Sequence, residues 1–131
     1  MQTVRRSVTH NLVELIGHSI AEGSYGPGSV IDLEALRKEQ GVSRTALREA
    51  LRVLRAKNLL TARPNVGTTI LATEQWNLLD PELLGWLQGT SLGEQLAQDA
   101  SNFAELLRSN PGLAANPFVA QALAAVTGFN P

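Results

Sequence analysis

The 131-residue chain contains no cysteine, one methionine and only two histidines, His10 and His18. Without cysteine there is no disulfide framework, no thiolate metal site and no cysteine nucleophile. Two imidazoles, both near the start, are too few for a His-rich metal centre, so no metal or other cofactor is expected. Long apolar runs are missing as well. None approaches the roughly 20 residues that cross a bilayer, and the opening MQTVRRSVTHNLVELIG has no signal-peptide cleavage pattern. A soluble, cytoplasmic protein with no membrane partner is expected. Charge excess is small, −1 overall, and 44% hydrophobic with 18% charged residues is ordinary globular composition.

The near-neutral total conceals an asymmetry. Ten of the eleven Lys and Arg residues precede Gln75, against seven acids there, whereas Arg108 is the only basic residue after it, against five acids. A basic first part next to an acidic second part suggests different partners, the first facing a polyanion.

Val8, Leu12, Ile16 and Ile20 recur every four positions with Leu15 beside them, which predicts an amphipathic helix from Ser7 to Glu22. GSYGPG (23–28) stops it. Asp32 is a good N-cap for a short helix over LEALRKEQ, with Glu34 in its positive first turn, and Gly41 ends that helix. Only Val42 separates Gly41 from Ser43, the next N-cap, so the pair of helices reads as a helix-turn-helix.

The third helix, predicted over 44–57, has two faces. At about 100° per residue, Arg44, Arg48, Arg52 and Arg55 fall within one arc of about 80°, while Leu47, Ala50, Leu51 and Leu54 form an apolar stripe. A basic helix face is commonly just solvated. Here it begins directly after the turn, where a recognition helix offers its first residues to the major groove. Asn58 closes the helix. LLTARP (59–64) and GTTILAT (67–73) then flank the turn-forming Pro64-Asn65-Val66-Gly67 and read as a hairpin. The fold class is mainly α with a small β-hairpin, a winged helix-turn-helix followed by short C-terminal helices. Arg63 is the only basic residue of the wing, so wing contacts to phosphate would come from backbone amides and the Thr68 or Thr69 hydroxyls.

The segments GSYGPGSVID, GVSRTALREALRVLRAKNLL and ARPNVGTTI closely resemble the DNA-binding head of the GntR family of bacterial transcription regulators. QWNLLDPELLGWL (75–87) is similar to the linker of the FadR-like branch, above all its sugar-acid (galactonate-type) regulators. The resemblance spans residues 5–88. It implies that Arg44 and Arg48 contact the operator, that Ser43 and Thr45 meet phosphate or base edges, and that Gly67 is the wing glycine. One departure stands out. Many members carry a DNA-touching arginine in the second helix where this chain has Glu34, whose carboxylate would repel phosphate unless Arg37 and Lys38 compensate.

A helical effector-binding and dimerising domain follows the linker in that branch. The stretch 89–131 is shorter than half of the roughly 100–200 residues of a typical domain and does not resemble it, and with no histidine after His18 its Asp/His metal set cannot be built. The organisation expected is a DNA-binding domain over 1–74, an apolar linker over 75–90 and a short helical tail over 91–131. In the tail, Ser91 and Glu94 have capping-box spacing. Leu92, Leu96, Ala100, Phe103 and Leu107 predict a helix over 92–108, Ser109-Asn110-Pro111-Gly112 breaks it, and 118–127 forms a last helix. Three roles suit the tail: packing on the head or on itself, replacing the dimerisation element, or being the by-product of a truncation or frame change.

The leading expectation is a sequence-specific regulator, a repressor, that reads a palindromic operator in double-stranded DNA through helix 44–57. Its contact set is Ser43, Arg44, Thr45, Arg48, Arg52, Gly67 and Thr68, and its partner is a second copy or a relative. The alternative is a non-catalytic interaction protein that pairs with a full-length relative or has lost DNA binding. An enzyme is not expected: the only histidines to activate a nucleophile lie on the first helix, no paired-carboxylate pattern is present, and GSYGPG neither follows a predicted strand nor has the lysine of a phosphate loop.

Overall fold

Left-handed residues and short polar caps set the helix ends in the first half of the chain. The structure, a computed structural model, describes residues 2–127, and the chain divides into two compact units, 1–77 and 78–131. The first unit contains α1 (Gln2–Ala21), α2 (Leu33–Gln40), α3 (Arg44–Ala56) and strands β1 (Leu60–Arg63) and β2 (Gly67–Ile70). It is a winged helix-turn-helix, and short C-terminal helices follow it.

α1 begins five residues before the expected Ser7, because nothing in QTVRRS breaks a helix. Its inward side is Leu12, Val13, Ile16 and Ile20, and Leu15 is exposed. Relative to Ile16, Val13 lies about 60° round the helix and Leu15 about 100°, which puts Leu15 outside the buried arc. In α2 the Asp32 carboxylate accepts from the Ala35 amide at 3.0 Å, and Leu36 points inward. Gly41, at φ +63°, ends that helix in a Schellman arrangement, its own amide donating to the Lys38 carbonyl and that of Val42 to Arg37.

Ser43 caps α3, its Oγ accepting from the Ala46 amide at 3.1 Å. The same closing arrangement recurs at the far end with Asn58 at φ +61°, where the Leu59 amide reaches the Leu54 carbonyl. α3 therefore ends at Ala56, and Lys57 forms the cap rather than the last turn. Ala46, Leu47, Ala50 and Leu54 pack inward, while Leu51 lies half-buried at the edge of the stripe. Leu36, Leu59, Leu60 and Ile70 join the α1 face in the core of this unit, as do Ile31 and Trp76.

β1 and β2 pair antiparallel, Leu60 opposite Ile70 and Arg63 opposite Gly67. The turn is Pro64-Asn65-Val66, with the Val66 amide donating to the Arg63 carbonyl and Asn65 at φ +63°, as a type II turn requires. The strands are shorter than the predicted runs, yet the sheet gains a partner that sequence patterning misses. The Ile31 amide donates to the Thr68 carbonyl, the Ile70 amide to Ser29 and the Gly28 amide to Ile70, so residues 28–31 line the free edge of β2.

Gly67 combines φ +116° with a tight neighbour, since a Cβ there would stand 3.3 Å from Val30 Cγ1. Gly67→Ala is expected to destabilise the protein by more than about 1 kcal/mol, through strain and crowding together. Chemical denaturation of the full chain checks this, and an unchanged midpoint would refute it.

The stretch expected as a linker, 75–90, divides between the units. A 3-10 turn over Thr73–Gln75 brings Trp76 into the first, where its indole N–H donates to the Leu71 carbonyl at 2.9 Å and the Asn77 amide donates to the Lys57 carbonyl. The second unit opens with a helix that the linker reading omits, α4 (Pro81–Leu87). Asp80 caps it by accepting from the Glu82 and Leu83 amides, and Pro81 stands at its first position.

α5 (Ser91–Ser109), α6 (Pro111–Ala114) and α7 (Pro117–Thr127) follow. Thr90, not Ser91, caps α5, accepting from the Gly93 amide at 3.0 Å. The predicted break over 109–112 contains the single turn of α6. None of Leu92, Leu96, Ala100, Phe103 and Leu107 is exposed, and α5 packs against α6 and α7 within this unit. Residues 128–131 of the expected tail lie outside the described residues.

Candidate nucleic-acid interface

The turn Gly41-Val42-Ser43 fixes where α3 starts, and the cap on Ser43 fixes its first direction. With Ala46, Leu47, Ala50 and Leu54 facing the core, Arg44, Arg48, Arg52 and Arg55 are left on the exposed side. Arg48, Arg52 and Arg55 have no hydrogen-bond or ion-pair partner among the described residues. Glu49, the one acid of the helix, accepts a hydrogen bond at 3.2 Å from the Thr9 hydroxyl of α1. A basic helix thus keeps its acid tied to a neighbouring helix and its four arginines exposed.

Ser43 and Thr45 are exposed at the start of α3. The Ser43 oxygen accepts within the cap, which leaves its O–H to donate outward. The wing is arranged differently from the sequence-based expectation. Arg63, Pro64, Asn65, Val66 and Gly67 are exposed, but Thr68 is 9% and Thr69 2% accessible. Both residues belong to β2, which runs between β1 and residues 28–31, and the Thr69 hydroxyl donates to the Gly67 carbonyl at 3.1 Å. The exposed part of the wing is the turn and Gly67. The hydroxyls expected to reach phosphate are inside.

Between α2 and α3 lies a shallow depression floored by Leu33, Leu47 and Leu51 and rimmed by Glu34, Arg37, Arg44 and Arg48. Glu34 is at the second position of α2, where the helix dipole favours a carboxylate. Arg37, one turn on, donates from Nη2 to Oε1 at 2.5 Å and from Nε to both carboxylate oxygens at 3.2 and 3.3 Å. From the other side Nη2 of Arg44 stands 3.7 Å from Oε1. Glu34 is thus bracketed by two arginines from different helices, a trio with a net charge of +1.

The hydrogen bond from Arg37 holds the Glu34 carboxyl below its usual range, and the charges of Arg37, Arg44 and Lys38 act in the same direction. A lowered value favours the folded protein above the ordinary glutamate range, and the benefit disappears as pH falls through the folded value. An NMR titration of the glutamate carboxyl carbons is expected to find Glu34 titrating at lower pH than glutamate in a short unstructured peptide. Coincident midpoints would contradict the bracketed geometry. The i, i+3 spacing of Glu34 and Arg37 is readable from sequence, whereas the approach of Arg44 depends on the angle of the turn and is not.

Residues 8–70 match the family of bacterial regulatory proteins called gntR. Two relatives come from Escherichia coli (strain K12). Over 83 residues the chain is 41% identical to the uncharacterized HTH-type transcriptional regulator YieP, covering 63% of this chain and 36% of that protein. Over 100 residues it is 33% identical to the galactonate operon transcriptional repressor, covering 76% of this chain and 44% of the repressor. The chain therefore spans less than half the length of either relative.

Proposed function

The chain carries a helix-turn-helix domain of the gntR family at residues 8–70, and from that premise we propose that it is a sequence-specific DNA-binding transcription regulator acting as a repressor in the cytoplasm. The observation that carries this reading is the four-arginine face of α3, exposed directly after the turn, with Glu49 tied to α1. α3 and its cap, residues 44–57, enter the major groove of double-stranded DNA. Arg44 and Arg48 read base edges, because a guanidinium fork matches O6 and N7 of guanine. Arg52 sits further along and serves phosphate, as do Ser43, Thr45 and the backbone at Gly67, whereas Thr68, expected in the same set, is buried. Repression is favoured by the likeness to the galactonate operon repressor. Among the described residues no helix is long and apolar enough to cross a membrane.

The operator in this reading is palindromic and is bound by two heads, from a homodimer or from a pair with a relative, because two linked half-site contacts multiply affinity. The test is to mix the purified chain with a random-sequence duplex pool at two salt concentrations and to sequence what is retained. An inverted repeat, with retention falling as salt rises, is the expected result. A single half-site would overturn the dimer. No retention even at low salt would overturn DNA binding and leave an interaction protein.

A further inference from the structure

Glu34 occupies a position where a bare carboxylate should hinder binding to a polyanion, yet it bridges the two helices of the motif. Building on the DNA-reading role proposed for α3, we propose that Glu34 is a positioning residue that aims the Arg44 guanidinium at a base edge and so sets sequence preference without touching DNA.

Arg37 holds the carboxylate through three N–H···O contacts, fixing it against α2. The Arg37 side chain is only 25% exposed and its Nη1 also reaches the Val42 carbonyl at 3.5 Å, so this side of the trio is anchored in the turn itself. Arg44 is different: 76% exposed, at the first position of α3, it has only the Glu34 carboxylate as an ionic partner among the described residues. An arginine with that freedom samples many rotamers, and holding it in one costs conformational entropy when it binds. A fixed anion 3.7 Å from one of its terminal nitrogens narrows that sampling before any DNA arrives.

Guanidinium has five N–H donors in a planar fork, and the contact to Glu34 engages one terminal nitrogen. The remaining donors stay available, including a pair suited to O6 and N7 of guanine. Glutamate is charged throughout the neutral range in any case, and the lowered proton affinity of Glu34 extends that charge further towards acid. Repulsion of phosphate is offset by Arg37 and Arg44, which leave the trio at +1. The cost of an acid near DNA is thereby reduced, and what remains is orientation.

The experiment compares wild type, Glu34→Gln, Arg44→Ala and the double variant of the full chain against the sequences selected by the wild type and against random duplex. Glu34 is exposed, so Glu34→Gln is expected to fold, and circular dichroism with thermal melting confirms it. Expected is a loss of about five- to twentyfold in discrimination at the one base position that Arg44→Ala relaxes, within the range of a single bidentate contact. Binding to random duplex should hold or rise, since a negative charge is gone. The double variant should relax no further than Arg44→Ala alone, because both act through the same contact. A merely structural role for Glu34 would instead lower affinity for all sequences together.

Wild-type base preference in Glu34→Gln would overturn the inference and leave the DNA-reading role standing. An equal loss at every position would overturn it too. If the wild type shows no preferred sequence at all, the proposed function fails first and the inference falls with it.

Discussion

The variant Arg44→Ala/Arg48→Ala is expected to retain the fold and lose most of its preference for the selected duplex. Each arginine that grips a guanine bidentately contributes about 1–3 kcal/mol of discrimination, so the pair accounts for roughly two to four decades of it. The two effects should not add fully, since the residues are one turn apart on α3 and share the same stretch of groove. Neither side chain belongs to the core: both are exposed, and the helix is held by Leu47, Ala50 and Leu54 on its other side. Arg52→Ala provides the contrast. As a phosphate contact it should weaken binding about uniformly across sequences and flatten the salt dependence by about one unit of slope. Competition binding with the selected and scrambled duplexes at several salt concentrations separates the two patterns. Undiminished preference in the double variant would remove α3 as the reading element.

Leu54→Ala is expected to have the largest effect on stability. Leu54 is fully buried in α3, among the other core residues of this unit. Truncation leaves a cavity where α3 faces the other core elements, at a cost of about 2–5 kcal/mol. In a unit of this size each 1 kcal/mol shifts the melting temperature by about 4–8 °C, so a fall of at least about 8 °C is expected. Leu15→Ala is the control: the residue is as large but 40% exposed, and it should cost far less. Thermal denaturation of the two variants beside the wild type decides the matter. Similar midpoints would mean that the α1–α3 core is not where the stability of this unit lies.

Much of the head is legible because its boundaries are chemical. Asp32, Gly41, Ser43 and Asn58 each do locally what their side chains or their tolerance of left-handed backbone allow, and the two helices of the motif follow from them. The arginine side of α3 is legible for the same reason, since spacing alone separates it from Leu47, Ala50 and Leu54. Features that depend on where distant segments meet were not readable. Residues 28–31 line β2 through backbone amides and carbonyls, which leave no signature in side-chain type. That pairing is also what puts Thr68 and Thr69 inside. Val13 and Leu15 are equally apolar, and only the arc selected by α3 distinguishes them. α4 is a different case, because Asp80-Pro81-Glu82 is a complete start signal that lies within an unbroken apolar context and is easily taken for a linker. The bracket around Glu34 combines both kinds: its contact with Arg37 is written in the spacing, and its contact with Arg44 in the angle of the turn.

β2 has backbone partners on both sides, β1 on one and residues 28–31 on the other, and those residues lead directly into the Asp32 cap of α2. The wing and the helix-turn-helix are consequently joined by backbone hydrogen bonds as well as by the chain itself. In the proposed function this bracing leaves the wing less to order on contact with a duplex. The amides of Ile31 and Ile70 should accordingly exchange with solvent only when the whole unit opens, whereas that of Val66, bonded to the Arg63 carbonyl within the exposed turn, exchanges through local opening.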